Sequence, residues 1–334
     1  MSPHYVNFFT NIFKTFGHPP KNFIPFRKKK KRVKGGLQHG SYVANGAERR
    51  EFLGLGLSGF HKVSYQEWEN KTPSFRRKIK KPSVVCVHGL TRNSHDFDKI
   101  ADQLSEDRRV VCPDIVGRGH SDWIANSALY ENLQYNADMN ALISRLDERE
   151  IDWIGTSMGG LIGMMLAASA NSPIRKLVIN DVGPYIPYSA LAKIGSYVGR
   201  SPEFETMAEA EDYLRQIHVE FAPMNDDDWE DMTQYGVREV EGGKFALNYD
   251  PGIGDPVRAG LTGFDVNLWP LWEMIQCPVL VFRGENSKLL TPSIAERMEE
   301  TGPKATVIEI PEAGHAPTLN IPSQIKMISD WLDK

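Results

Sequence analysis

Cysteine is scarce and odd in number. Cys86, Cys112 and Cys277 are the only three in 334 residues, with no CxxC pair and no Cys/His spacing. Neither a disulfide framework nor a zinc site is indicated, and a reducing compartment such as the cytoplasm fits best. Each cysteine sits in or beside an apolar run and reads as a small buried hydrophobe. Long hydrophobic runs are missing too. The longest candidate, Leu161 to Ala170, falls short of the ~18–20 residues a membrane-spanning helix needs. No internal repeat appears, and low complexity is confined to one basic run. With 41% hydrophobic and 25% charged residues, a mostly disordered, collagenous or coiled-coil chain is excluded. The length fits one large domain or two small ones.

Acids are nearly missing from the first fifty residues, where Glu48 stands against eleven Lys and Arg. The rest of the chain reverses this, with 28 Lys/Arg and 42 Asp/Glu. An acidic body is a poor nucleic-acid binder, because phosphate neutralisation supplies most of that affinity. No nucleic-acid partner is expected.

Residues 1–57 read as a basic N-terminal extension. Tyr5, Phe8, Phe9, Ile12, Phe13 and Phe16 recur at helical spacing, Gly17, Pro19 and Pro20 stop the helix, and a basic run follows from Arg27 to Arg32. Three readings stay open. The apolar face docks on the protein's own body, or residues 4–34 lie on an anionic membrane surface, or the segment is an import sequence. A secretory signal is disfavoured, because polar residues interrupt the apolar stretch.

From about residue 58 short apolar strands alternate with amphipathic helices, the pattern of a mostly parallel sheet. His61–Trp68 reads as an edge strand and Ser83–Val87 as a buried one. Further strands are expected from Val110, at Ile151–Ile154, Leu177–Ile179, Val279–Phe282 and Val307–Ile310. Helical faces recur at Phe97–Leu104, Tyr135–Leu146, Met158–Ser169 and Ile321–Leu332. Between Asp181 and Pro278 the alternation lapses, leaving helices at Leu191–Tyr197, Met207–Val219 and Asp228–Tyr235. So long a connection is rarely structureless. Residues 185–275 are therefore expected to form a helical cap over the carboxyl ends of the strands, where open α/β sheets bind ligands. Residues 58–184 and 276–334 make the core.

The central chemical signal is Gly155-Thr156-Ser157-Met158-Gly159-Gly160. A GxSxG match alone is weak. Here a strand precedes it and a helix follows without a linker, so the serine hydroxyl is lifted clear of the sheet on a sharp bend that small neighbours tolerate. The new helix points its N-terminal amides at the same place. A nucleophilic serine needs a base. His315, in Gly314-His315-Ala316, follows the last strand across a short turn and lies at the sheet's carboxyl edge; His39, His61, His95, His120 and His218 have no comparable placement. The oxyanion of acyl transfer needs two amide donors: Met158, straight after the serine, and Leu90, in His88-Gly89-Leu90 after the strand ending at Val87. His88 braces that loop. The glycine loop Asp114–Ser121 reads as structural, and no phosphate-binding pattern completes it.

In this order, HGL, DIVGRGHSDW, GTSMGG, NDVGP, CPVLVFRG and GHAP resemble the α/β-hydrolase superfamily with a helical cap, over about residues 58–334. The resemblance implies an α/β fold with a mostly parallel sheet flanked by helices and an inserted helical cap. By motif, Ser157 resembles the nucleophile, His315 the base, and Leu90 with Met158 the oxyanion hole. Serine at the elbow is unlike dehalogenases and epoxide hydrolases and agrees with esterases, thioesterases, lipases and carbon–carbon-bond hydrolases.

Many relatives carry the acid in the loop after the strand that here is Val279–Phe282, in a stretch like Arg-Gly-x-x-Ser-Asp. This chain reads Arg283-Gly284-Glu285-Asn286-Ser287-Lys288, and lysine cannot orient an imidazole. Two replacements remain. Asp181 ends the preceding strand, a position from which haloalkane dehalogenases and some lipases supply the acid, and is preferred; Glu285 is the alternative. The expected function is a serine hydrolase cleaving a small-molecule ester or thioester through an acyl-enzyme, without metal or organic cofactor. Its rivals are a carbon–carbon-bond hydrolase using the same serine and histidine, and a catalytically weak binding protein whose triad has eroded at Lys288. Oligomeric state is not legible.

Overall fold

The computed structural model describes residues 46–72, 80–221 and 224–334. The three readings of residues 4–34 lie outside the described residues. Among the described residues, no helix is long and apolar enough to cross a membrane.

The chain enters with strands β1 (Ala47–Gly56) and β2 (Gly59–Trp68), an antiparallel hairpin. Strand β3 (Ser83–Val87), helix α1 (Asp98–Leu104) and strand β4 (Val110–Pro113) follow. Next come helix α2 (Asn132–Leu146), strand β5 (Ile151–Thr156), helix α3 (Met158–Ala167) and strand β6 (Ile174–Asn180). A long insertion then carries β7 (Tyr185–Ile186), α4 (Tyr188–Tyr197), β8 (Glu203–Phe204), α5 (Met207–Ile217) and α6 (Asp226–Gly236). It continues through β9 (Val237–Glu239), β10 (Phe245–Leu247), α7 (Gly254–Ala259), β11 (Val266–Asn267) and α8 (Trp269–Trp272). The chain closes with β12 (Val279–Gly284), α9 (Pro292–Glu300), β13 (Thr306–Ile310) and α10 (Pro322–Asp333).

The main sheet has eight strands in the order β1-β2-β4-β3-β5-β6-β12-β13. It is parallel from β4 to β13. Parallel strands need both faces covered, so their sequences are apolar on both sides. Val84, Val85, Cys86 and Val87 of β3 are all fully buried. One face packs on α1 and α10 through Ile100, Leu104, Ile325, Ile328 and Leu332. The other packs on α2, α3 and α9 through Met139, Leu142, Ile162, Ile294 and Met298. Each such side chain contributes roughly 1.5–3 kcal/mol of burial.

Two expectations need correction. Ala47–Gly56, assigned above to the extension, is the edge strand of the sheet, and His61–Trp68 therefore belongs to an interior strand flanked by β1 and β4. Gly54 and Gly56 of β1 each permit a close approach. A Cβ on Gly54 would stand 2.4 Å from Asp138 Oδ1, and one on Gly56 1.9 Å from Gln134 Oε1, both on α2. The insertion is also not purely helical: it holds a three-stranded sheet, β8-β10-β9, and a two-stranded one, β11-β7. Its Tyr249, Trp269 and Trp272 are buried packing residues.

The insertion hydrogen-bonds to loops that leave the carboxyl ends of the strands. Asn93 Nδ2 donates to the Tyr235 carbonyl at 2.9 Å, beyond β3. Gly119 donates to the Asn248 carbonyl at 3.1 Å, beyond β4. Gly314 donates to the Glu220 carbonyl at 2.9 Å, beyond β13.

Candidate active site

The bend between β5 and α3 is a single residue. Ser157 adopts φ 51° and ψ −111°, a backbone conformation that costs of order 1–3 kcal/mol and needs surrounding structure to hold it. Here the Ser157 N–H donates to the Asn180 carbonyl at 2.9 Å, and its own carbonyl accepts from Leu161 at 3.0 Å. The flanking glycines admit the bend. A Cβ on Gly155 would meet the Gly159 carbonyl oxygen at 2.2 Å, and one on Gly159 the Val87 carbonyl oxygen at 2.0 Å.

His315 stands in reach of that hydroxyl. Its Nε2 lies 3.0 Å from Ser157 Oγ, and its Nδ1 2.8 Å from Asp181 Oδ2. One neutral tautomer satisfies both contacts, with Nδ1–H donating to the carboxylate and Nε2 accepting from the hydroxyl. Asp181 directly follows β6, is fully buried and has φ 55°. Its carboxylate is held from the next strand over: Gly284 N–H donates to Oδ1 at 2.8 Å and Ser287 Oγ to Oδ2 at 2.6 Å.

The structure thus brings Ser157, His315 and Asp181 into one hydrogen-bonded row, and Glu285 is not in it. Glu285 is exposed and accepts from the Glu312 N–H at 2.9 Å, bracing the turn ahead of His315. Lys288 is exposed. The role of Ser287 as a second support for Asp181 was not read from the sequence, since nothing local marks a serine as facing a distant strand end.

The two expected amide donors lie beside the serine. Met158 is the first residue of α3, where an N–H has no carbonyl partner within the helix. Leu90 follows Gly89, and a Cβ on Gly89 would stand 3.9 Å from Ser157 Cβ. Two buried side chains orient this loop. His88 is fully buried, and burial pushes its imidazole down to about 4, so it is neutral near pH 7. Its Nε2 accepts from the Ile115 N–H at 2.9 Å, which leaves Nδ1–H to donate to the Gly89 carbonyl at 2.7 Å. That carbonyl belongs to the peptide whose N–H is Leu90's. Arg118, from the glycine loop, donates Nε to the Leu90 carbonyl at 2.8 Å and Nη1 to the Val116 carbonyl at 2.7 Å.

The loop itself hangs on Asp114. Burial alone would raise its carboxyl, but the Arg49 charge and the N–H groups of His120 and Ser94 outweigh it and hold the group below the usual carboxylate range. Of the other histidines, His61 pairs with Asp138 and His95 stacks on Tyr235 at 3.6 Å. His218 departs from its unremarkable sequence setting. It is buried near His315 and Arg92, and burial, reinforced by the Arg92 charge, pushes it down to about 3.

Among the described residues, no cluster of three or more His, Cys, Asp or Glu is arranged to hold a metal ion. The geometry is that of a buried carboxylate, an imidazole and a hydroxyl at the mouth of a helix, an arrangement suited to attack on a carbonyl.

Comparison with known proteins identifies the family. A family model described as alpha/beta hydrolase fold matches residues 82–320. A 3-hydroxybutyrate-oligomer hydrolase of Cupriavidus necator is 41% identical over 275 residues, covering 80% of this chain and 92% of that protein. A 2-(acetamidomethylene)succinate hydrolase of Mesorhizobium japonicum is 27% identical over 264 residues, covering 78% and 92%. The crystal structure of a putative hydrolase from Rickettsia typhi superposes with a TM-score of 0.76 at 34% identity, covering 86% of this chain and 98% of that one. The chain belongs to the α/β-hydrolase fold family and is an enzyme of the hydrolase class.

Proposed function

We propose that this hydrolase cleaves a carboxylic ester through an acyl-enzyme, with Ser157 as nucleophile, His315 as base, Asp181 as its acid partner, and the Leu90 and Met158 amides as the oxyanion hole. The observation that carries the reading is the unbroken row from Ser157 Oγ through His315 to Asp181 Oδ2, at 3.0 and 2.8 Å. His315 Nε2 takes the serine proton as Oγ bonds to the ester carbon, and the carbonyl oxygen becomes the anion held by two amides. As that anion collapses, the carbon–oxygen bond to the alcohol breaks and His315 returns the proton to the leaving oxygen. Water then repeats the sequence: His315 takes its proton, hydroxide adds to the acyl carbon, and Ser157 leaves reprotonated. Asp181 stays ionised throughout and stabilises the imidazolium.

The substrate reading follows the relative named as acting on 3-hydroxybutyrate oligomers, which spans most of both chains. We take short esters of hydroxy acids as the substrate class, with the insertion, residues 185–275, acting as the cap that limits their length. The test is a fluorophosphonate label combined with a turnover panel of short esters, long esters, thioesters and hydroxy-acid dimers. Labelling lost in Ser157→Ala, with fastest turnover of the hydroxy-acid dimer, supports the reading. A folded wild-type chain that takes no label ends it.

A further inference from the structure

The row of Ser157, His315 and Asp181 accounts for the bond that breaks, but not for two buried polar side chains beside it. Arg92 and His218 are each only 6% exposed. Arg92 lies just past the Leu90 loop. Its Cγ is 3.8 Å from the position of a Cβ on Gly89, which is itself 3.9 Å from Ser157 Cβ. Asp96 occupies one edge of its guanidinium, accepting from Nε at 3.1 Å and from Nη2 at 2.6 Å. The other edge, Nη1, carries no hydrogen bond among the described residues and reaches to within 3.3 Å of where a Cβ on Gly236 would stand.

His218, on the insertion, lies close enough to Arg92 and His315 to feel the charge of each. It ends α5 one turn after Leu214, to whose carbonyl its N–H donates at 2.9 Å. Leu214 Cδ1 is 3.6 Å from that same Gly236 position. The imidazole rests on Phe221, with ring centroids 4.5 Å apart, and its nitrogens have no hydrogen-bond partner among the described residues. Two residues further on, Glu220 accepts from the Gly314 N–H at 2.9 Å. The segment carrying His218 is thereby tied to the loop carrying His315. Both side chains are largely buried yet keep polar atoms uncommitted among the described residues, so beside a reactive centre they are open to a ligand.

We infer that Arg92 and His218 form a subsite for the carboxylate of the departing hydroxy acid, an assignment that rests on the acyl-enzyme reading above. His315 must hand its proton to the leaving oxygen, so the leaving group lies on the His315 side, where these two residues converge. In a 3-hydroxy acid the carboxylate carbon is only two carbons from that oxygen. One carboxylate oxygen takes Nη1 of Arg92 in a charge-assisted bond, and the other takes the N–H of His218. A neutral imidazole always has one N–H to give. Burial first, and the Arg92 charge second, keep His218 unprotonated; the bound carboxylate offsets the second of these. Specificity for a free acid then comes from the charge-assisted bond to Arg92, which a neutral analogue cannot make.

The test uses the full chain and two nearly isosteric substrates, 3-acetoxybutyrate and 3-acetoxybutanamide, scored by acetate release. Wild type is expected to prefer the acid by about tenfold or more in kcat/KM, or about 1.4 kcal/mol. Arg92→Gln brings that ratio near one, His218→Phe reduces it, and Arg92→Lys, which keeps the charge and the fold, retains part of it. A ratio equal within about twofold in wild type and all variants overturns the inference. A second readout needs no turnover. In Ser157→Ala, 3-hydroxybutyrate should shift the His218 imidazole resonances saturably, with an affinity about tenfold weaker when Arg92→Gln is added. No shift overturns the subsite. Failure of wild type to take a fluorophosphonate label overturns the acyl-enzyme reading instead, so the two failures are separable.

Discussion

The Asp181 carboxylate and the His315 imidazole, 134 residues apart in the chain, meet at 2.8 Å through Oδ2 and Nδ1. Asp181 issues from β6 and His315 from the loop after β13, with β12 lying between those strands. The carboxylate therefore crosses the end of β12, and it is Gly284 and Ser287 of that neighbour that hold it.

Asp181→Asn should lower kcat on a short p-nitrophenyl ester by about 10³–10⁴-fold, because an amide stabilises the wrong imidazole tautomer and no imidazolium. Glu285→Gln should cost less than about threefold, since among the described residues that side chain accepts from the Glu312 N–H and does not reach His315. Lys288→Asp should bring no gain, as the His315 Nδ1 position is already taken. Steady-state kinetics on the three variants decides this; equal mild losses in the first two would refute the assignment.

His88 bridges two backbone groups that water cannot reach. Replacement by leucine leaves the Ile115 N–H unpaired and the Gly89 carbonyl with only the Arg92 N–H, at 3.2 Å, a cost of about 1–3 kcal/mol in stability. The Leu90 peptide also loses the shorter of the two hydrogen bonds that orient it. We expect kcat to fall about 10–100-fold with KM nearly unchanged, measured beside a urea unfolding curve.

Gly314→Ala drives a methyl group to 2.8 Å from Glu220 Cβ and 2.9 Å from its carbonyl oxygen, both on the insertion. Backbone has to move, at about 1–3 kcal/mol, and His315 is the next residue. Thermal melting should fall by several degrees and kcat with it. A variant that melts like wild type with unchanged turnover would show that the insertion does not bear on the histidine.

His61 supplies the pH test. Its hydrogen bond to Asp138, larger than the opposing effect of burial, raises the imidazole above its ordinary 6.5. A raised folded-state value means that this stabilisation is full below about pH 6.5 and is lost as pH climbs through the folded value. The gap in urea midpoint between wild type and His61→Gln should therefore shrink from pH 6 to pH 9, while the lowered His88 and His218 act in the opposite direction in both proteins. An identical slope in both proteins would count against the pair.

The elbow was legible because its signals are local. Ile151–Ile154, the serine between small residues and the apolar helix that follows lie within a few turns of chain, and strand and helix are chosen by just such short-range patterning. The first strand was not legible, because residues 47–56 adjoin the basic extension and the α2 side chains that Gly54 and Gly56 admit lie far along the chain. The insertion's strands of two or three residues are too short to show any periodicity.

The amino-acid order by itself determined the alternating α/β architecture, the bend at Ser157 and the placing of a histidine after the last strand, all consequences of patterning and turn chemistry along contiguous chain. Only the tertiary structure decided which carboxylate meets His315, that Ser287 supports it, and that His218 lies buried beside it. Those contacts depend on how far one strand end projects past its neighbours and on what folds over it, and neither quantity is written in the residues nearby.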